Sequence, residues 1–234
     1  VGERYDKYFF TDWETDHAGN IVHQAGLPVK NKYQSVIGYK DPKCILGWTN
    51  RFFYKGFDLS VSIDGRIGGV MYSWTEQAMW RSGVHPDSDN RWRYDEVVNG
   101  KQNYIGSGVK VVSGSASYDP YGKVLEDTRV FAPNDVPVSY QNYTMNYNEN
   151  PWDHDARQNI KNGSFLKLRE VALNYTLPAT IAQKLLMKKV RVGVIGQNLL
   201  MWTKEFKFSD PDRGKENLNT PTSRYVGFNI DLTF

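Results

Sequence analysis

Aromatic side chains in one long polar segment are the residues with the best chemistry for holding a ligand. The segment runs from residue 68 to residue 163 and is rich in Asn, Asp, Gly, Pro, Trp and Tyr. Flat rings stack on the apolar faces of sugars or on peptide side chains, and nearby arginine side chains supply hydrogen bonds. The alternative is that the rings pack small cores within the segment or contact a partner protein. The ligand-binding candidates are Trp74, Trp80, Trp92 and Tyr94.

Other reactive residue types give weaker signals. His85 with Asp87 and Asp89, and the run from Asp153 to Asp155, contain oxygen ligands suited to a divalent cation, but such clusters in polar segments are more often turn formers. Cys44 is the single cysteine and has no histidine beside it in sequence that would activate its thiol as a general base. No Ser-His-Asp spacing, phosphate-binding loop or HExxH motif occurs. We therefore expect no enzyme, no catalytic residue, no metal and no cofactor.

Bulk composition excludes two further classes. The 234 residues carry a formal charge of +3 from 29 basic and 26 acidic residues, without a Lys/Arg run, so nucleic-acid binding is not expected. Mean hydropathy is -0.59, and no apolar run approaches the ~18 residues of a membrane helix. A membrane β-barrel remains compatible with this value, because every second residue of its strands faces a polar interior.

The end of the chain has a strict period of two. Small or polar residues separate the apolar ones, which indicates a β-strand with one apolar and one polar face. The length matches the roughly 9 to 11 residues with which a tilted strand crosses an outer membrane. We therefore predict that the apolar residues face lipid and act as an assembly signal. These residues are Val226, Phe228, Ile230, Leu232 and Phe234.

A β-hairpin is predicted for residues 43–67. Lys55-Gly56 is placed as a two-residue turn, with glycine supplying a positive φ. This turn sets Tyr54 opposite Phe57 and Trp48 opposite Ile63, which brings both apolar faces to the same side of the sheet. The turn chemistry and the apolar pattern thus predict the same register.

Two further strands are predicted near 166–177 and 190–202, separated by a short helix or turn at 180–188. Lys167 and Arg169 fall on the apolar parity of the first of these strands. At the bilayer midplane each would cost about 2 to 4 kcal/mol. They must therefore lie at the membrane rim, or a β-bulge must reset the phase of the strand.

The order of these elements predicts an all-β, antiparallel transmembrane barrel with long extracellular loops. Residues 1–42 are expected to form an extracellular loop region leading into a strand, 68–163 a long extracellular loop, and 164–234 the last three barrel strands. Short periplasmic turns and long extracellular connections then alternate, as such barrels require. Five strands cannot close a barrel, which needs at least about eight. We therefore expect the chain to be the C-terminal part of a larger protein.

Several ordered motifs resemble the SusC/RagA-like TonB-dependent transporters of the outer membrane. The resemblance covers roughly residues 36–70 and 160–234. The matching segments are Val36–Leu59, Gly163–Pro178, Val190–Thr203, Asp210-Pro211-Asp212, Thr220-Pro221 and Gly227–Phe234.

This resemblance implies a barrel of about 22 strands, an N-terminal plug domain and a motif that engages TonB. It also implies a SusD-like lipoprotein over the extracellular face, an oligosaccharide or peptide substrate, outer-membrane lipid around the strands, and the barrel-assembly machinery as a further partner. The plug and the TonB contact would belong to a missing N-terminal part. Two alternatives stay open: a soluble β-sandwich module that binds glycans or peptides, and a passive porin.

Overall fold

The chain forms two compact units. A computed structural model describes residues 2–148, 157–213, 218 and 221–234. One unit, here called the loop unit, comprises Val1–Lys40 and Tyr72–Lys161, and the other, the sheet unit, comprises Asp41–Met71 and Asn162–Phe234. Strands account for 49% of the structure and helices for 19%, so the fold is mostly β, as predicted. The helices within residues 68–163 were not predicted.

The strands in chain order are β1 (Lys7–Trp13), β2 (Val22–Gln24), β3 (Leu27–Pro28), β4 (Lys30–Tyr39), β5 (Cys44–Tyr54), β6 (Phe57–Ile67), β7 (Val70–Tyr72), β8 (Val109–Ser113), β9 (Ala116–Tyr118), β10 (Val124–Asp127), β11 (Val130–Pro133), β12 (Ile160–Asn162), β13 (Phe165–Thr176), β14 (Lys189–Thr203) and β15 (Tyr225–Thr233). The α-helices are α1 (Trp74–Ser82), α2 (Arg91–Asn99), α3 (Tyr140–Asn148) and α4 (Ala179–Lys184), and short 3-10 turns occupy Pro86–Ser88, Arg157–Asn159 and Pro211–Arg213. Within the described ranges, every helix is too short or too polar to cross a membrane.

The sheet unit is one antiparallel sheet in the order β15-β14-β13-β6-β5. Tyr54 pairs with Phe57 and Trp48 pairs with Ile63, which confirms the predicted hairpin register. Lys55 and Gly56 have φ values of 44° and 87°. Both central residues of the turn are therefore left-handed, as a type I′ turn requires to match the twist of the strands. Helix α4 lies within the segment predicted as a short helix or turn.

Two bulges keep the apolar residues of the sheet on one face. Between Leu168 and Glu170, β13 advances two residues while β6 advances one, so Arg169 is the extra residue. In β14 a second irregularity lies at Asn198, whose φ is 52°. The phase reset at Arg169 decides between the two sequence interpretations: a bulge, and not placement at the membrane rim, reconciles Lys167 with the apolar pattern.

The loop unit combines small sheets with helices. Its sheets have the orders β1-β4, β11-β8-β2-β3 and β10-β9. The N-terminus of α1 is capped by Ser73, whose side chain accepts a hydrogen bond from the amide of Glu76, and α1 ends at left-handed Gly83. Asn90 and Gly100 cap α2 in the same way. Residues 68–163, predicted as one long loop of weak periodicity, thus contain three capped or packed helices and several short strands.

Candidate functional site

One face of the five-stranded sheet is apolar across all five strands, and we call it the apolar sheet face. Its members are joined by direct cross-strand pairing, which places their side chains on the same side. The face consists of Leu46, Trp48, Asn50, Phe52, Tyr54, Phe57, Leu59, Val61, Ile63, Leu166, Leu168, Val171, Leu173, Tyr175, Val190, Val192, Val194, Leu200, Trp202, Val226, Phe228, Ile230 and Leu232, with Gly65 and Gly196 between them. None of these side chains is charged, and Asn50 is the one amide among them.

Most of the apolar sheet face is uncovered. Val226 is 79% exposed and Phe228 is 83% exposed on the edge strand β15, and Leu173 on the inner strand β13 is 39% exposed. A water-soluble monomer rarely exposes a contiguous apolar patch larger than a few hundred Å². An uncovered face of this extent fits a hydrocarbon environment. The predicted assembly residues of β15, apart from the terminal Phe234, all lie on this face.

Aromatic residues border the apolar sheet face at both ends. Tyr54, Phe57 and Tyr175 form one cross-strand row, and the rings of Phe57 and Tyr175 lie 4.5 Å apart. Trp202 and Trp48 lie toward the other end, in the rows of Gly65 and Ile63. The eight residue steps from Phe57 to Gly65 span about 27 Å along the strand, or about 20 Å with the usual tilt. Membrane barrels have an apolar band of about 25 Å between two aromatic girdles.

The opposite face of the sheet is polar, and its charges are paired. Near the Lys55-Gly56 turn, Asp58 accepts two hydrogen bonds from Arg51, at 2.6 and 2.5 Å, and one from Arg191 at 2.5 Å. Toward the middle of the sheet, the hydroxyls of Thr49 and Ser62 are 3.0 Å apart. The ion pairs of Asp58 span four strands, because Asp58 on β6 binds Arg51 on neighbouring β5 and Arg191 on β14, which lies beyond β13.

A second charged cluster, the Asp210 cluster, lies near the other end of the polar face. The Lys167 ammonium group donates to Asp210 at 2.7 Å and to Asp212 at 3.0 Å. Arg169 donates to Asp64 at 2.6 and 2.8 Å and to Asp212 at 2.6 Å. The cluster therefore fastens the Asp210-Pro211-Asp212 segment, a resemblance motif, onto β13.

Burial and hydrogen bonding oppose each other at Asp210. Burial alone would raise its pKa, but hydrogen bonds from Lys167, the Thr222 hydroxyl and the Asp212 amide outweigh burial and lower the pKa to about 2. The side chain of Lys167 is only 3% exposed. The alternating pattern placed Lys167 among the apolar positions of its strand, where a charge is unexpected. It could not indicate the partners of Lys167, because they follow it by more than forty residues.

Most of the aromatic side chains of the loop unit pack against one another. Tyr104 contacts Trp92 with ring centroids 5.7 Å apart and Tyr143 at 4.7 Å, and Tyr143 continues the chain of contacts to Tyr147 at 5.7 Å. Tyr147 in turn stacks on Trp13 at 5.6 Å. Burial raises the pKa of Tyr143, so its phenol stays protonated. These rings form the core of the loop unit, and Trp92 belongs to it.

Trp80 lies in a different environment, a cavity of about 270 Å³ between α1, α2 and α3 that we call the helical cleft. Its ring stacks on His85 with centroids 4.1 Å apart. Arg93 lines the cleft and donates to the Gly83 carbonyl at 2.6 Å and to the Ser88 hydroxyl at 3.0 Å. The cleft residues used below are Trp80, Arg81, Arg93, Glu96, Val97 and Met145. An aromatic wall beside hydrogen-bonding side chains is suited to a sugar ring or a peptide side chain.

The four predicted ligand-binding rings are not brought together. Trp80 lines the helical cleft, whereas Trp92 packs in the aromatic core. Trp74 contacts Tyr72 with centroids 5.0 Å apart and is 37% exposed, and Tyr94 is 59% exposed on α2. Ligand contact by these rings stays a prediction, and the geometry favours Trp80 because it alone of the four lines a cavity among those described.

The cation-site candidates have separate placements. His85 Nδ1 accepts a hydrogen bond from the Asp87 amide at 3.2 Å and caps a short turn. Within residues 2–148, 157–213, 218 and 221–234, no three His, Cys, Asp or Glu side chains are arranged to hold a metal ion. The run from Asp153 to Asp155 lies outside the described residues. Cys44 is exposed at the start of β5, paired with Ile67.

Comparison with known proteins gives relatives of one kind. No family model matches the chain. A curated protein, the TonB-dependent receptor P3 of Formosa agariphila, is 23% identical over 190 residues, which are 81% of this chain and 15% of the relative. The chain thus spans about one seventh of the length of this curated relative.

Solved structures show the same fold. A chain of the RagAB peptide importer in its "closed-closed" state matches with a TM-score of 0.56 and 18% identity, over 97% of this chain and 23% of that chain. The "open-open" state of the RagAB peptide importer matches with a TM-score of 0.54 and 18% identity, over 97% and 22%. These similarities confirm the resemblance to SusC/RagA-like TonB-dependent transporters that the sequence motifs indicate.

Proposed function

We propose that this chain supplies transmembrane strands and surface loops to a TonB-dependent importer of oligosaccharides or peptides in the outer membrane. In this proposal β5, β6, β13, β14 and β15 are part of a barrel wall, and residues 1–42 and 68–163 are extracellular loops. A SusD-like lipoprotein is the proposed partner at the cell surface. TonB would act through a plug domain that these residues do not include. No catalytic step is assigned to the chain.

The apolar sheet face is the observation that carries this proposal. It is uncharged over five adjacent strands, is bordered by aromatic rows, and is backed by a face on which Arg51, Asp58 and Arg191 form ion pairs. A barrel wall needs this division, because one side meets hydrocarbon and the other meets a polar lumen. In the sheet of the described residues, β5 and β15 each have a neighbour on one side only, which leaves both edges able to pair with further strands.

The substrate part of the proposal rests on the helical cleft. Trp80 offers a ring face and Arg81, Arg93 and Glu96 offer polar groups within one cavity of about 270 Å³. A cavity of this size is at the lower end for small-ligand pockets, so it suits one sugar ring or one side chain of a longer substrate. The relatives named as a peptide importer support the peptide alternative by analogy alone.

Paired substitutions on β15 test the membrane assignment. Ile230 and Asn229 are neighbours in sequence at the middle of a nine-residue strand, and they point to opposite faces. Ile230→Arg places a charge on the apolar sheet face, where it costs about 2 to 4 kcal/mol in hydrocarbon, whereas Asn229→Arg places the same charge on the polar face. We expect outer-membrane recovery, measured by density-gradient fractionation of the native cell, to collapse for Ile230→Arg and to stay near wild type for Asn229→Arg.

Two outcomes would contradict the proposal. Equal recovery of the two variants would show that the two faces of β15 have equivalent surroundings. A monodisperse, cooperatively folded species of the unchanged protein in detergent-free buffer would favour the β-sandwich alternative, in which a second sheet covers the apolar face. Trp80→Ala tests the cleft separately, because it should weaken substrate uptake without lowering membrane recovery.

A further inference from the structure

A cavity in the loop unit, which we call the basic cavity, has a different chemical character from the helical cleft. Its volume is about 450 Å³, and it lies among β2, β8 and the turn Ala25-Gly26. Val22 and His23, each 2% exposed, form part of its wall. Gln24 pairs with Leu27, so Ala25 and Gly26, with φ values of 51° and 81°, form a tight hairpin turn at its edge. The cavity is therefore built on paired backbone.

The charged side chains that line the basic cavity are four cations and one carboxylate. They are Lys30, Lys32, Lys110, Arg129 and Glu14. A cavity lined mainly by one sign of charge concentrates ligands of the opposite sign, because its walls focus the field.

The one lining carboxylate is bound to an arginine that it shares with a second carboxylate. Glu14 accepts a hydrogen bond from Arg129 at 2.6 Å and another from the Tyr118 hydroxyl at 2.8 Å, at the same oxygen. Burial and this bond raise the pKa of Tyr118, so the phenol stays protonated and donates. Arg129 is itself held by two hydrogen bonds to Asp127, at 2.8 and 2.7 Å. Since these three groups bind each other, they position the wall, and the positive charge of the cavity comes from its lysines.

His23 adds no charge to the cavity. Its Nδ1 lies 3.1 Å from the Ile21 carbonyl and its Nε2 lies 3.2 Å from the Tyr143 hydroxyl. A carbonyl only accepts, so Nδ1 carries the proton and Nε2 accepts from Tyr143. Burial lowers the pKa of His23, in keeping with this neutral form. The ring is thus a fixed part of the cavity wall.

The lysines are placed to meet an anion that enters from solvent. Lys32 is exposed, and Lys110 lies 2.5 Å from Asp135 in an ion pair that is itself open to solvent. An exposed pair of this kind contributes little to stability, so an incoming anion can share or replace it at small cost. Ammonium groups on flexible stems suit a carboxylate of variable position better than a rigid bidentate contact would.

We propose that the basic cavity binds a carboxylate group of an acidic ligand, either an acidic peptide or a uronic-acid oligosaccharide. Lys32 and Lys110 are the contacting residues, with Lys30 adding to the field, and the Glu14–Arg129–Asp127 network positions the wall. The site is separate from the helical cleft. Binding at the cavity needs no transport, so it stands or falls independently of the import function.

Calorimetric titration of the purified protein in detergent tests this assignment. The probes are triglutamate with triglutamine as its neutral counterpart, and trigalacturonate with a neutral trisaccharide. We expect at least one acidic probe to bind, with no heat from its neutral counterpart, and the acidic probe that binds identifies the source of the carboxylate. Lys32→Gln combined with Lys110→Gln should weaken that binding about fivefold or more. Added salt should weaken binding of the wild type too.

The matched control is Lys101→Gln combined with Lys123→Gln, which removes the same charge from exposed positions outside the cavity lining. It should leave the affinity near wild type. Equal weakening by both double variants would overturn the proposal, because it would reduce the effect to general surface charge. Absence of binding by both acidic probes, or equal affinity for acidic and neutral probes, would also overturn it. Lys32→Gln alone, at an exposed position, keeps the test decisive if the double variant unfolds.

Discussion

The sheet unit and the loop unit satisfy their apolar side chains in different ways. In the sheet unit, residues such as Val226 and Phe228 are exposed on a continuous face, whereas a charged pair, Lys167 with Asp210, is buried. In the loop unit, by contrast, the large apolar side chains are covered, because Trp13 and Tyr143 are buried in an aromatic core. The apolar side chains of the sheet unit thus need contacts from outside the unit, whereas those of the loop unit pack against one another.

The largest effect that separates the two units is expected at Tyr143. Its ring contacts Tyr104, Tyr147 and His23, and it is 6% exposed. Tyr143→Ala should lower the free energy of unfolding of the loop unit by about 3 to 5 kcal/mol, since it removes a buried ring and leaves a cavity. Hydrogen exchange measured by mass spectrometry should show loss of protection in loop-unit peptides, with sheet-unit peptides unchanged.

The control for this change is Tyr121→Ala. Tyr121 is 90% exposed, so its removal should alter the free energy of unfolding by less than about 0.5 kcal/mol. Equal loss of protection in peptides from both units after Tyr143→Ala would mean that the two units unfold together. That result would remove the basis for treating them as separate in stability.

An intermediate effect is expected from acid on the Asp210 cluster. The pKa of Asp210 is lowered in the folded state to about 2, from 3.8. A lowered pKa contributes stability that is present above the unfolded value and is lost as pH falls through the folded one. As pH falls from about 4 to 2, protonation of Asp210 should therefore lower the free energy of unfolding of the sheet unit by about 2 kcal/mol. Chemical unfolding in detergent, followed across this pH range, measures the loss.

Asp210→Asn provides the comparison for the acid effect. It removes the titrating group while keeping the size of the side chain, so the variant should be less stable than wild type at pH 7, and the difference should shrink toward pH 2. A constant difference in stability over the whole pH range would show that ionisation of Asp210 does not stabilise the folded state. The loop unit contains Asp127, whose pKa is also lowered to about 2, mainly by its hydrogen bonds from Arg129. Because the loop unit should lose stability in the same pH range, unfolding of the sheet unit must be measured separately, by hydrogen exchange of its own peptides.

The same division explains how much the sequence could predict. The hairpin register around Lys55-Gly56 and the face shared by Val226 and Ile230 follow from a period of two and one turn, which are local signals. The partners of Lys167 do not follow, because Asp210 is far away in sequence. Its mismatch with the apolar parity was nevertheless visible, and the bulge at Arg169 was one of the two explanations offered by the pattern.

In the loop unit, the sequence contains capping residues that mark helix ends, but the apolar periodicity between them is too weak to predict a helix. Ser73 followed by Glu76 three residues later is a capping-box spacing, and Asn90 with Gly100 brackets the second helix. Helices of nine residues with short apolar stripes give little hydrophobic periodicity. Trp80 lines a cleft because α3 lies opposite it, and Trp92 lies in the core because it contacts Tyr104. Neither contact can be predicted from the neighbouring sequence.

The smallest expected effect tests whether such a local signal matters in the loop unit. The Ser73 hydroxyl accepts a hydrogen bond from the Glu76 amide at 3.2 Å, and Ser73 is buried. Ser73→Ala leaves that amide without its capping acceptor and should cost about 1 kcal/mol. Ser82→Ala, at the exposed end of the same helix, removes hydroxyl bonds to the Ala78 and Met79 carbonyls without removing an N-terminal cap, and should change stability by less than half as much. Thermal unfolding of both variants measures the difference. Equal decreases in melting temperature would mean that the Ser73 cap does not determine where α1 begins, and would favour packing against α3 as the cause.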